Sequence, residues 1–294
     1  MESEALSAAS AVVSGATSAA GAVEAVTGAT VVAGATVVAG ATPLVAQTGV
    51  ALVLEKIYWF LMVPGVYLSV LAFLAFSAVV IVRALRAPPP PYQLAIYPAP
   101  RNALLAALRD AFGMPQIRKK APIFWFFLVA YHMGFALLIL GHLDLFPAID
   151  IVSAQSRHMV GSGVVGLLVT VPTFYFIGRR FKSPVREIST PGDYILLLLL
   201  LFTFLFGDLM SWGNSWTAKG FVMTKQDFAR YFDSLARFTF ANPRDFLRGS
   251  HYHFAVIHVL LAELVLVVLP FTKVVHAFFS VPINLLRRRV WTRN

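Results

Sequence analysis

Four histidines lie inside long apolar stretches, His132 and His142 in one, His258 and His276 in another. An ionisable side chain within a membrane is costly, which makes it a functional candidate by default. One such histidine alone reads as a hydrogen bond between helices. Two in each of two stretches read as paired axial imidazoles for haem iron. The chain contains no cysteine. Its own side chains therefore make no disulfide, iron–sulfur cluster, covalently attached c-type haem or thiol chemistry. Any redox group must be held by His, Met, Tyr or carboxylates.

The elements that must carry these histidines follow from composition. Of 294 residues, 58% are hydrophobic and 13% charged, against about 25% charged in soluble domains. The expected fold is all-α, an integral membrane bundle; the period-two alternation of a membrane barrel is absent. A span needs about 20 apolar residues. Five stretches qualify: residues 57–82, 122–146, 159–177, 194–209 and 254–279. Pro64, Pro172 and Pro270 fall inside three of them, which neighbouring helices can accommodate. Residues 1–50 form a low-complexity extension of Ala, Gly, Val and Thr, with a short tandem repeat over 28–42. No Lys or Arg precedes Lys56, so the positive region of a secretory signal is missing. The reading is an extension without chemistry, followed by a membrane domain over 51–294.

The net charge is +10. In a membrane protein this reports loop topology rather than nucleic-acid binding. Basic residues crowd the loop between spans one and two (Arg83, Arg86, Arg118, Lys119, Lys120), the loop between three and four (Arg179, Arg180, Lys182, Arg186) and the C-terminus (Arg287, Arg288, Arg289). The loop between two and three holds Asp144, Asp150 and Arg157. The expected orientation is N-terminus outside and C-terminus inside.

Spans two and five then run antiparallel. His132 and His276 sit at the inner ends, and His142 and His258 at the outer ends. Each level pairs two imidazoles. Ten residues of helix rise about 15 Å and eighteen about 27 Å. The mismatch demands a tilt or kink, and Pro270 stands in the longer interval.

Residues 102–112 and 225–240 read as amphipathic helices, the second capping the outer face. Pro88 to Pro91 form an extended linker. Gly134, Gly141, Gly163 and Gly166 leave room for a macrocycle or a neighbouring backbone. Glu263 reads as a hydrogen-bonding group between helices, and Lys273 as a propionate partner or a snorkelling side chain. Tyr58, Trp59 and Tyr67 read as lipid and belt contacts. Asp144, Arg157, His158, His251 and His253 gather at the outer mouth. Arg157 and His158 are the preferred quinone contacts there, because His titrates near neutral pH.

The segment Tyr131-His-Met-Gly-Phe-Ala-Leu-Leu-Ile-Leu-Gly-His142 resembles the second span of the gamma subunit of respiratory nitrate reductase. Leu269-Pro-Phe-Thr-Lys-Val-Val-His276 and Ser280-Val-Pro282 resemble its fifth span and exit, and Arg179-Arg-Phe-Lys-Ser-Pro184 its inner loop. The resemblance covers roughly residues 55–290. It implies a five-span cytochrome b with two b haems, ligated by His132 with His276 and His142 with His258. Similar subunits serve sulfite-reduction-associated and heterodisulfide-reductase-like membrane complexes, and residues 229–243 look more like that branch. The family places a Lys near the outer start of span three, where this chain has Arg157 and His158. The implied function is electron transfer between a quinone or menaquinone pool and a cytoplasmic iron–sulfur subunit. The setting would be a hetero-oligomeric respiratory complex of a bacterial or archaeal inner membrane. The competing reading is a membrane anchor or transporter-like bundle with structural histidines. A transporter would show internal repeats or matched broken helices, which the sequence lacks.

Overall fold

The computed structural model describes residues 49–88, 102–149, 151, 163–216, 223–248, 251–273 and 276–287. The N-terminal tract, most of the proline linker, Arg157 and His158 lie outside the described residues. The described residues, from Gly49 onward, belong to one compact unit. Among the described residues every regular element is helical.

Helix α1 spans Gly49–Leu85. A π-helical turn over Leu61–Gly65 interrupts it around Pro64. Proline lacks the N–H for the usual ladder, and a widened turn is one way to absorb it. Two short helices follow. In α2, Ala103–Leu108, the side chain of Asn102 caps the N-terminus by accepting from Leu105 N at 3.0 Å. Helix α3, Pro115–Lys120, leads through Ala121 into α4, Pro122–Leu143, each with Pro in its first turn. Proline is well placed there because that N–H has no helical partner.

Helix α5, Val164–Arg180, holds Pro172 within it. Thr173 donates its hydroxyl to Val169 O at 2.7 Å, serving a carbonyl beside the proline. Helix α6, Pro191–Trp216, extends past the expected span at both ends. Helix α7, Lys225–Ala236, starts with a reciprocal capping box between Thr224 and Asp227. Helix α8, Tyr252–Val268, gives way to a tight 3₁₀ turn over Leu269–Phe271. Thr272 is extended, and α9 runs over His276–Leu286.

Among the described residues, four helical stretches are long and apolar enough to cross a membrane: those starting at Gly49, Pro122, Pro191 and Tyr252. The third expected span corresponds to α5, of which 17 residues are described. The fifth departs from a continuous helix. Ten residues past His258 reach Val268, a rise of about 15 Å, equal to that between His132 and His142. Past Val268 the described chain is a proline-led 3₁₀ turn followed by the extended Thr272 rather than continuous helix. That resolves the length mismatch the spacing posed.

Large apolar side chains face outward along the long helices, among them Leu68, Leu71, Ile123, Phe126 and Met133. Such a surface needs an apolar solvent to cover it. Packed neighbours run in the order α1, α8, α6, α5, α4. Two cores result. One joins α6 to α5 and α8 through Val169, Leu196, Leu200, Phe204 and Val265. The other joins the π-helical turn to α7 and α8 through Met62, Val63, Tyr231, Leu235 and Tyr252. Tyr58, Trp59 and Tyr67 meet protein rather than lipid alone. Tyr67 donates to Leu235 O at 2.7 Å, Trp59 to Phe240 O at 3.3 Å, and Tyr58 sits edge-on to Tyr252.

Candidate functional site

The structure brings the four intramembrane histidines together as two pairs. The rings of His132 and His276 have centres 6.1 Å apart, and those of His142 and His258 6.2 Å apart. The ring planes cross at 76° in the first pair and at 19° in the second.

Each of the four rings meets a backbone carbonyl through Nδ1. His132 bonds Leu128 O at 2.7 Å and His142 bonds Leu138 O at 2.8 Å, each within α4. His258 reaches across to Thr203 O of α6 at 2.9 Å, and His276 bonds Lys273 O at 3.0 Å. A carbonyl only accepts, so Nδ1 must carry the proton. In the neutral ring, Nε2 then keeps its lone pair. Fixing the tautomer this way is how metal-ligating imidazoles are oriented.

The spacing suits one metal between each pair. An imidazole nitrogen binds a metal at about 2.0 Å, and the ring centre lies about 1.1 Å further back, so two opposed rings have centres roughly 6 Å apart. Cavities of 340 and 200 Å³ flank the His142–His258 pair, and both histidines border each of them. The larger is walled by Gly141, Gly163, Gly166, Gly207 and apolar side chains of α4, α5, α6 and α8. The smaller lies against α1, α7 and α8. A flat, largely apolar group passing between the two imidazoles fits such a slot.

The glycines divide between two tasks. At Gly134 a Cβ would stand 2.7 Å from Leu168 Cβ, so this glycine serves close packing of α4 on α5. At Gly166 a Cβ would collide with Asp208. At Gly207 it would lie 3.2 Å from Cε1 of His258, so Gly207 makes room for that ring. Gly163 has φ +89°, a conformation that a side chain would strain.

Other polar groups resolve as follows. Asp208 accepts from Thr170 at 2.8 Å. Glu263 lies buried beside Gly65 of the π-helical turn, with no partner for Oε1 and with its side chain on the smaller cavity. Lys273 pairs through Nζ with Asp193 Oδ2 at 2.8 Å. At the far end of α4, Asp144 forms a buried ion pair of 2.7 Å with Lys225, the first residue of α7. Asp144 also accepts from Ile151 N at 2.9 Å. The cap helix α7 is thereby tied two residues beyond His142. Burial pushes the Tyr231 phenol of α7 above its ordinary range, and its hydroxyl donates to Met62 O. His251 and His253 stack around Phe254 at the start of α8. Arg157 and His158 lie outside the described residues.

The family model for the nitrate reductase gamma subunit matches residues 116–293, which include all four histidines. The chain belongs to the nitrate reductase gamma subunit family. A nitrate reductase gamma chain of Bacillus subtilis (strain 168) is 29% identical over 168 residues, covering 54% of this chain and 73% of the relative. This gamma-family chain is a multi-pass membrane protein, as the four long apolar helices and the family agree. The match starts within α3, so α1 and α2 precede the part that the family model covers.

Sequence reasoning named the imidazoles but not what holds them. Thr203 acts through its backbone carbonyl, which no residue type announces. Asp193 stood unremarked because its partner is 80 residues away.

Proposed function

We propose that this chain is the membrane cytochrome b subunit of a respiratory complex, carrying two b haems and moving electrons between a quinone pool and a cytoplasmic iron–sulfur partner. The observation that carries the reading is the set of four imidazoles, paired at about 6 Å and each tautomer-fixed through Nδ1. His132 with His276 would hold the inner haem, and His142 with His258 the outer one. When bound, such haems supply reversible one-electron transfer. The residues of the chain orient the ligands, exclude water with apolar walls and set the approach of the flat group through Gly141, Gly163 and Gly207.

The proposed arrangement has five spans, α5 being the third, with the N-terminus outside and the C-terminus inside. Residues 51–294 form the membrane domain and 1–50 an extension. The quinone site is proposed at the outer mouth, with Arg157 and His158 as contacts. The basic inner loops suit docking of a partner subunit, and the lack of cysteine assigns iron–sulfur chemistry to that partner. A bacterial or archaeal inner membrane is the proposed location.

Spectroscopy of the purified protein tests this. The expected result is a Soret band, a reducible alpha band and two haems per chain by pyridine haemochrome. His132→Ala and His276→Ala should remove one and the same component, and His142→Ala and His258→Ala the other. A colourless intact protein would overturn the haem reading. Loss of different components within one pair would overturn the ligand assignment.

A further inference from the structure

Helix α6 contributes none of the four imidazoles, yet it bears on both of those carried by the fifth segment. It accepts from His258 directly, through Thr203 O at 2.9 Å. Its hold on His276 is indirect. His276 opens α9, just after the break, and its Nδ1 donates to Lys273 O at 3.0 Å. Lys273 follows the 3₁₀ turn and the extended Thr272. Lys273 stands outside the continuous α-helical ladder that holds Leu128 O and Leu138 O for the α4 histidines.

The side chain of Lys273 ties this segment to α6. Nζ lies 2.8 Å from Asp193 Oδ2 at the start of α6. Asp193 is 8% exposed and is itself held on three sides. The backbone N and the hydroxyl of Thr190 donate to Oδ2 at 3.0 and 3.1 Å, and Arg180 Nη1 stands 3.4 Å away. Arg180 is anchored in turn to Ser189 Oγ at 3.0 Å. Asp193 is thus a fixed point joining the ends of α5 and α6. Phe271 meets Phe76 of α1, 4.9 Å between ring centres, and the Thr272 hydroxyl donates to Leu269 O at 2.8 Å; neither contact involves the Lys273 carbonyl.

We infer that Asp193 is a positioning residue for His276, acting through Lys273. It carries no ligand atom. It fixes the segment whose carbonyl sets the tautomer and plane of the imidazole. The pair adds little to folding, since the Lys273 side chain is 68% exposed and exposed ion pairs are weak. Its effect is on geometry, as for the partners that orient metal-bound histidines elsewhere.

This inference rests on the two-haem reading, and the test separates the two. The readouts are haem content and the low-spin electron paramagnetic resonance signal of each haem in the full chain. The two pairs differ in ring-plane angle, which gives the two haems distinguishable signals. His276→Ala first identifies the inner component; if it removes none, the two-haem reading fails, and this inference with it. Asp193→Asn keeps the side-chain volume and removes the charge. We expect it to shift the inner signal and to weaken inner haem retention by about tenfold, the low end for loss of such a partner. The outer signal should stay as in wild type. Lys273→Met, at an exposed position that leaves the core untouched, should reproduce the change. Lys273→Arg and Asp193→Glu should restore it. Combining Asp193→Asn with Lys273→Met should add nothing further, because both break one link. Wild-type inner signal and retention in both Asp193→Asn and Lys273→Met would overturn the inference. So would equal damage to both haems.

Discussion

Gly207→Ala should weaken one haem and spare the other. A Cβ at this position would stand 3.2 Å from Cε1 and 3.5 Å from Nδ1 of His258. Ordinary carbon contacts lie near 3.5–4.0 Å, so the ring must move by a few tenths of an ångström. That movement stretches the 2.9 Å bond from His258 to Thr203 O and displaces Nε2 from the axis it shares with His142. Overpacking of this size costs about 1–3 kcal/mol, and about 1.4 kcal/mol is tenfold in affinity, so outer haem retention should fall roughly five- to hundredfold. The assay is pyridine haemochrome together with redox difference spectra, set beside helix content by circular dichroism. The expected outcome is near half the haem content, loss confined to the component that His258→Ala also removes, and unchanged helix content. Gly134→Ala provides the contrast. Its Cβ would press on Leu168 Cβ at 2.7 Å, so it should lower thermal stability and affect both haems alike. Full haem content with an unaltered outer signal in Gly207→Ala would refute the argument that this glycine makes room for the ligand.

Three further outcomes are expected. Lys225→Met leaves Asp144 charged and buried, which should cost about 3–5 kcal/mol; a thermal melt should show the loss, and adding Asp144→Leu should recover part of it. Glu263→Met replaces a buried carboxyl that lacks a partner at Oε1 with an apolar side chain of similar size. If the carboxyl is only a structural burden, the variant should melt higher by an amount worth about 1–3 kcal/mol, and a lower melting point would show that Glu263 makes a favourable interaction. A reporter fused after Asn294 should be active only on the cytoplasmic side, and activity on the opposite side would refute the orientation read from the Lys and Arg distribution.

Much of the bundle was legible because lipid imposes a simple rule. Backbone groups in hydrocarbon must bond within their own segment, so long apolar stretches become helices. The candidate site was legible because charge-capable residues are scarce inside such stretches. His132, His142, His258 and His276 stand out against Leu, Val and Phe. The interrupted fifth segment was only half legible. Pro270 marked the place, but a proline inside a span can kink a helix or end it, and packing decides which. Here Phe271, Thr272 and the Lys273–Asp193 pair support an end. Tyr58, Trp59 and Tyr67 looked like belt residues because amphipathic rings serve membrane interfaces and protein contacts equally well. Their bonds to the carbonyls of Leu235 and Phe240 depend on where α7 and its following turn come to rest, which local sequence does not encode. Backbone acceptors such as Thr203 O carry no compositional mark at all.

The break after Val268 has a mechanical consequence. Two imidazoles mounted on a single unbroken rod would share every tilt of that rod, so a push at one end would be levered to the other. With the rod cut between them, His276 travels with α9 and His258 with α8. The surroundings of the two pairs can therefore be altered by separate substitutions, those on α9 bearing on His276 and those on α8 bearing on His258.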